Sequence, residues 1–143
     1  MSDPRAETIR RLRELPDRKA LVENLPERIQ ELEHQYSFLK SSSYDKDPVS
    51  GGTNRRENAL IYNIIERDRL KAAYEAAKIE VTTLERNLAS LPKNERIALE
   101  RFIINDERYA AERLSEDLGY ERAQIYRIRD SAINNLERRL YPH

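Results

Sequence analysis

An apolar stripe with a spacing of three and four residues constrains this chain more than any other feature. It occurs twice, in Leu25, Ile29, Leu32, Tyr36 and Leu39, and in Leu70, Tyr74, Ala77, Val81, Leu84, Leu88 and Leu91. Alternating steps of three and four keep one face of an α-helix turned toward a partner helix. The sequence therefore predicts an all-α protein in which two long helices bury these stripes.

The polar segment between the stripes is predicted to be a loop. Residues 41–54 hold two of the three glycines together with several serines, and such residues interrupt helices. The flanking segments, 4–40 and 55–91, have equal lengths, and the second helix is expected to start near Asn54. This arrangement favours a long antiparallel, coiled-coil-like helical hairpin over residues 1–91.

Two explanations of the apolar residues stay open. The stripes either bury only each other, or they leave part of the hairpin surface for an oligomer. Leu60, Ile61, Ile64 and Ile65 widen the apolar face upstream of the second stripe. Because a two-helix hairpin has little core of its own, further burial is expected. Either a second protomer or the C-terminal segment, residues 92–143, would supply this burial, and a homo-oligomer, with a dimer favoured, is expected.

Prolines divide the chain in a regular way. Pro16, Pro26 and Pro92 each follow a leucine and precede charged, helix-favouring sequence, and Asp3 precedes Pro4. Each proline is predicted to start a helix, with Asp3 as an N-cap. A proline inside a helix removes a hydrogen bond and bends the axis. Breaks or bends are therefore expected at Pro16 and Pro26.

Charge and composition limit the classes of function. Twenty-six basic and 26 acidic residues leave no net charge, so a nucleic-acid surface would have to be local. The absence of cysteine excludes disulfides and thiolate metal sites. His34 and His143 lie far apart, and no phosphate loop or metal-ligand spacing occurs. Neither an enzyme nor a cofactor or metal is expected.

Hydropathy gives no sign of a membrane protein. No apolar run approaches the roughly 20 residues of a membrane-spanning helix. Asp3, Glu7 and Glu14 stand among the arginines of the N-terminal segment, which does not resemble a signal peptide. A cytoplasmic protein without membrane contact is expected.

From Pro92 onward the pattern changes to shorter helices. The predicted helices cover 93–104, 109–118 and 121–140, and Gly119 is expected to end the second of them in the left-handed conformation. Residues 92–143 are therefore predicted to form a separate three-helix domain.

The spacing around Gly119 indicates a helix-turn-helix. That motif needs a small residue where its helices cross, a glycine in the turn and a branched apolar anchor in the second helix. Ser115, Gly119 and Ile125 supply these residues in this order. An ordinary helical subdomain with a solvated, arginine-rich face remains the alternative.

The solvent side of the third helix is the predicted DNA-binding surface. Its candidate residues are Arg122, Ala123, Gln124, Tyr126, Arg127 and Arg129. Such side chains donate hydrogen bonds to guanine and adenine edges and to phosphates. Five arginines against three acidic residues give 121–140 a net charge of +2. Positive charge is therefore concentrated on the helix that would enter the groove.

The same segments resemble region four of bacterial sigma factors. Residues 91–99 (Leu-Pro-Lys-Asn-Glu-Arg-Ile-Ala-Leu) resemble the opening of that region, and 111–120 resemble the first helix of its helix-turn-helix. Residues 124–129 then correspond to the recognition helix. The chain departs from the pattern at Glu121, where a serine cap is usual. An acidic residue there suits the helix dipole but repels a nearby phosphate.

A long helical segment with Asp-Pro-Val-Ser-Gly-Gly at 47–52 precedes the sigma-like module. This combination resembles small phage and prophage proteins of Gram-positive bacteria, related to the ArpU and RinA type of late-gene activators. The resemblance implies a sequence-specific regulator that binds double-stranded DNA of a phage or mobile element and acts at promoters with host RNA polymerase. No segment resembles a promoter-melting region, so a self-sufficient sigma factor is not expected.

Two other functions stay open. An interaction protein would bind a repressor or RNA polymerase through its helical hairpin. A small terminase subunit also joins DNA-binding helices to an oligomerising coil, although its usual order of the two parts is the reverse.

Overall fold

The computed structural model describes residues 3–42 and 50–142, with side chains over 3–41 and 54–142. All regular structure in these ranges is helical, which confirms the all-α class. The helices are α1 (Pro4–Ser42), α2 (Ser50–Ala89), α3 (Lys93–Leu99) with a π-helical continuation (Glu100–Ile104), α4 (Ala110–Leu118) and α5 (Arg122–Leu140). None of the described helices is both long and apolar enough to span a bilayer.

Helix α1 passes through two of its prolines without ending. It starts at Pro4 as predicted, and the backbone N–H of Arg5 donates to Oδ1 of Asp3 at 3.1 Å. The predicted helix starts at Pro16 and Pro26 are wrong, as is a break at either. Each interior proline costs about 3 kcal/mol, but buried leucines flank both of them. Their packing against neighbouring helices keeps α1 continuous.

The ends of the predicted loop are also helical. Residues 41–42 belong to α1 and 50–54 to α2, while 43–49 lie outside the described residues. The hydroxyl of Ser41 donates to the carbonyl of Ser37 at 3.0 Å, so this serine extends the helix instead of capping it. Extending a formed helix by one residue is cheap compared with nucleating it. The predicted start near Asn54 was therefore too late.

The structure forms two compact units, and the first comprises residues 1–19 and 79–143. Its larger core contains Leu12, Leu15, Leu84, Leu88, Leu91, Leu99, Ile103, Ala132, Ile133 and Leu136. The first turns of α1 and the last turns of α2 thus share one core with α3 and α5. At its edge, Arg11 contacts both carboxylate oxygens of Glu80 at 2.6 and 2.8 Å. The predicted functional division into 1–91 and 92–143 stays a prediction, because a shared core does not say which segment binds what.

The second unit, residues 20–78, contains the C-terminal half of α1 and most of α2. Leu25, Leu32 and Leu70 form its buried core. Asn63 is also buried, and its Nδ2 donates to the carbonyl of Leu32 at 2.8 Å. The predicted stripes therefore do face a helical partner.

The apolar face predicted upstream of the second stripe behaves differently. Ile61, Ile64 and Ile65 are exposed in the second unit, and only Leu60 is half-buried. With about 100° of rotation per residue, Ile61 and Ile65 lie on the side of α2 opposite Leu70. One partner helix covers only one side of α2, so most of this broader apolar face stays uncovered in the described part of the chain.

Candidate nucleic-acid interface

A small apolar core holds α3, α4 and α5 together. Ala98, Ala111, Leu114 and Ile125 are buried in it, and Ile97, Phe102, Leu118 and Ile128 pack around them. Ile125 is 1% exposed, which fits the predicted role of a branched anchor in the second helix of the pair. Burial of this residue fixes the rotation of α5 and therefore decides which of its side chains reach solvent.

The turn between α4 and α5 has the predicted left-handed glycine. Gly119 has a φ of +77°, and its N–H donates to the carbonyl of Ser115 at 3.0 Å. The hydroxyl of Ser115 donates to the carbonyl of Tyr120 at 2.5 Å. Ser115 therefore does more than leave space, because its side chain ties the end of α4 to the residue after the glycine. These two hydrogen bonds define the entry of the chain into α5.

Helix α5 begins without a side-chain cap. Glu121 is the N-cap residue, with extended backbone angles (φ −68°, ψ 155°), and its carboxylate makes no capping hydrogen bond. Its carbonyl accepts the first helical bond, from the N–H of Ile125 at 3.1 Å. The amides of the first turn of α5 therefore receive no hydrogen bond from the side chain of the N-cap residue.

Five of the six predicted DNA-binding residues are exposed on the first two turns of α5. These are Arg122, Ala123, Gln124, Tyr126 and Arg127. Nη1 of Arg127 donates to Oε1 of Gln124 at 3.3 Å. Nη1 of Arg122 lies 3.3 Å from Oε1 of Glu112 on α4. An exposed ion pair of this kind contributes little, so the guanidinium of Arg122 can exchange its carboxylate for another anion.

Arg129, the sixth predicted residue, is half-buried and already engaged. Its Cζ lies 4.9 Å from the ring centre of Tyr126 and 5.2 Å from that of Phe102. Its Nη2 also lies 3.0 Å from Oδ1 of Asp130. The two rings contact each other with centroids 5.8 Å apart. This stack holds Tyr126 against the body of the module, so Arg129 orients an exposed neighbour.

A shallow groove beside these residues contains four polar side chains that the sequence did not single out as site residues. It is lined by Asn94, Glu95, Tyr120 and Ser131, together with Gln124 and Arg127. Because Tyr120 directly follows the turn glycine, the sequence could have indicated that it lies near the start of α5. Asn94 belongs to α3 and comes close only through the tertiary fold, so no local pattern could have identified it.

The connection from α3 to α4 is held by one arginine. Nη1 of Arg101 contacts Oδ2 of Asp117 at 2.6 Å, and its Nε contacts Oε1 of Glu107 at 3.1 Å. These hydrogen bonds, the one to Asp117 first, raise the pKa of Arg101 above its ordinary value. The backbone between the helices includes left-handed residues at Asp106 and Tyr109. Arg101 therefore links the π-helical end of α3 to both the connection and the last turn of α4.

Over residues 3–42 and 50–142, no three histidine, aspartate or glutamate side chains are arranged to hold a metal ion. Comparison with known proteins adds no relative: no protein-family model matches the chain, and neither does any curated protein or solved structure.

Proposed function

We propose that this protein is a sequence-specific DNA-binding regulator of transcription in a phage or mobile element, with α4 and α5 as its helix-turn-helix. One observation carries the proposal. The first two turns of α5 expose guanidinium, amide and phenol groups on one side, while Ile125 anchors the other side in the core. Recognition helices read bases with such an N-terminal segment.

The chemistry of the exposed side chains suits the major groove. Arg122 and Arg127 can donate two hydrogen bonds each to guanine, and Gln124 can pair with adenine in the same way. Ala123 offers a methyl group for contact with thymine. Tyr126 can donate to a phosphate, a type of contact that positions the helix without reading sequence. Arg129 has the supporting role of holding the Tyr126 ring.

The modest charge of α5 implies a need for more than one module. A net charge of +2 over 121–140 supplies few phosphate contacts, so a single module binds weakly and loses affinity steeply with salt. Two modules on paired half-sites would overcome this limit. In this proposal residues 1–91 form an antiparallel hairpin that brings a second protomer, and host RNA polymerase is the partner at the promoter.

The test begins by selecting DNA from a random-sequence pool with the wild-type protein. Arg122→Ala and Arg127→Ala should each weaken binding to the selected DNA by about 1–3 kcal/mol, or roughly 5- to 150-fold. Arg138→Ala is the matched control, because Arg138 is exposed in the last turn of the same helix. Fluorescence anisotropy at several salt concentrations separates base reading from phosphate contact.

Circular dichroism should show the same helicity in all three variants, because each residue is exposed. Failure to enrich any sequence, or unchanged affinity in both Arg122→Ala and Arg127→Ala, would contradict the proposed recognition surface.

A further inference from the structure

An apolar patch on α2 is uncovered in the second unit. Ile61, Tyr62 and Ile65 are 55, 68 and 61% exposed, and we refer to these three residues as the α2 patch. Ile61 and Ile65 lie one turn apart on the same side of the helix, and Tyr62 lies next to them toward one edge. Three large apolar side chains grouped in this way mark an interaction surface more often than scattered exposed residues do.

The α2 patch lies away from the side of α2 that packs in the second unit. At about 100° per residue, Leu70 and Asn63 lie roughly opposite Ile61 and Ile65 on the helix, and both are buried. Farther along α2, the exposed Ala72 continues the side that carries Ile65. The helix is therefore apolar on two sides, and the described part of the chain covers only one of them.

At one edge of the patch, Tyr62 and the neighbouring Arg69 make the surface self-complementary. Tyr62 precedes Ile65 by three residues and Arg69 follows it by four, so both lie toward the same edge of the patch. The side chain of Arg69 is 64% exposed, and its Nη2 lies 2.5 Å from Oε1 of Glu66. In a two-fold dimer both copies contribute the same surface. A residue on one side of the axis therefore contacts, in the second copy, a residue that lies on the other side of the axis in its own copy.

We propose that α2 packs against α2 of a second copy of this chain, in antiparallel orientation, with the two-fold axis near Ile65. Each Ile65 then meets the other, and each Tyr62 ring lies beside Arg69 of the second copy. Arginine over an aromatic ring is a favourable contact. A parallel pair would set Tyr62 level with Tyr62, and this contact would be lost. Complementarity of the patch to itself is the reason for choosing a second copy as its occupant.

The inference rests on the proposed function at one point, because binding to two half-sites requires a second protomer. The surface through which that protomer binds, the α2 patch, is far from α5 in the sequence. The experiments are therefore run without DNA, so that absence of a dimer and absence of DNA binding are separate results.

Sedimentation velocity of the full chain over a wide concentration range tests the surface. The wild type should pass from monomer to dimer as concentration rises. Ile65→Glu should weaken the dimer by at least about 30-fold, the loss typical of a central interface residue. Phe38→Glu is the matched control, because Phe38 is a 71% exposed apolar residue on α1 of the same unit, and it should associate like the wild type.

Circular dichroism of Ile65→Glu should match the wild type, since the replaced side chain is exposed. A wild type that stays monomeric, an assembly larger than a dimer, or undiminished association of Ile65→Glu would each overturn the proposal.

Cross-linking tests the orientation. The chain has no cysteine, so Tyr62→Cys and Arg69→Cys variants of different tag lengths can be mixed and treated with a short bismaleimide. The antiparallel dimer predicts mainly mixed products, and its other Tyr62–Arg69 contact stays intact in the mixed pair. Phe38→Cys mixed with Arg69→Cys should give little product. Preferential linkage of Tyr62→Cys to itself would refute the antiparallel arrangement.

Discussion

Replacing Leu12 by alanine tests whether the start of α1 is part of the core beneath α5. Leu12 is fully buried, in a cluster that includes Leu99 and Leu136. The change removes three carbon atoms at about 0.8 kcal/mol each, and the remaining cavity adds to this loss. Since the Leu12 side chain is fully buried, its replacement by alanine should lower the free energy of unfolding by about 2–5 kcal/mol.

Two measurements check this expectation. Urea unfolding, followed by far-ultraviolet circular dichroism, gives the loss in free energy of unfolding. Amide hydrogen exchange shows where the loss occurs, and Leu12→Ala should speed exchange in α5, including Ala132 and Leu136. Leu32→Ala is the matched control, because Leu32 is a buried leucine of the same helix that packs in residues 20–78.

The control should speed exchange mainly in its own unit. A loss below about 1 kcal/mol for Leu12→Ala, or α5 exchange rates equal to those of the wild type, would refute the shared core. The result also bears on DNA binding. A change more than a hundred residues before α5 is expected to loosen the helix that carries the proposed DNA-binding surface.

Three further predictions concern single groups. Gly119→Ala should lower the free energy of unfolding by about 1–2 kcal/mol, the cost of a left-handed non-glycine residue. No atom lies within 4 Å of the added Cβ, so steric clashes do not add to this cost. An unchanged free energy in urea unfolding would contradict the left-handed turn. Asn63→Leu should raise the same free energy by about 1 kcal/mol, because buried Oδ1 of Asn63 has no partner among the described groups; a decrease would show that the bond to Leu32 matters more. The hydrogen bond from Arg69 lowers the pKa of Glu66, so its stabilisation is present above the ordinary glutamate pKa and is lost as pH falls through the lowered value. The thermal midpoint should therefore fall less on acidification in Glu66→Gln than in the wild type, and equal slopes would contradict this.

Much of the helical structure was predictable because its signals are local. The end of α4 depends on one glycine, and the start of α3 on the preceding Pro92; both act within a turn of the chain. The burial of Ile125 also followed from spacing alone. The candidate surface on α5 was predictable for the same reason, since an anchored helix exposes the side opposite its anchor.

Other features depended on contacts between distant segments. Pro16 and Pro26 carry the local signal of a helix start, and only the packing of neighbouring leucines keeps α1 continuous through them. Arg129 has the same local pattern as Arg127, but Phe102 on another helix places its guanidinium against two rings. Local sequence could not distinguish these two arginines.

The sequence by itself determined that this protein is helical, where most helices end and which side of α5 faces solvent, because hydrogen bonding and periodicity within a helix act over a few residues. The tertiary structure decided which apolar side chains are covered. Leu12 and Ile65 are both apolar residues of long helices, yet the first is buried and the second is exposed. The difference arises because a residue is buried only where another segment of the chain packs against it.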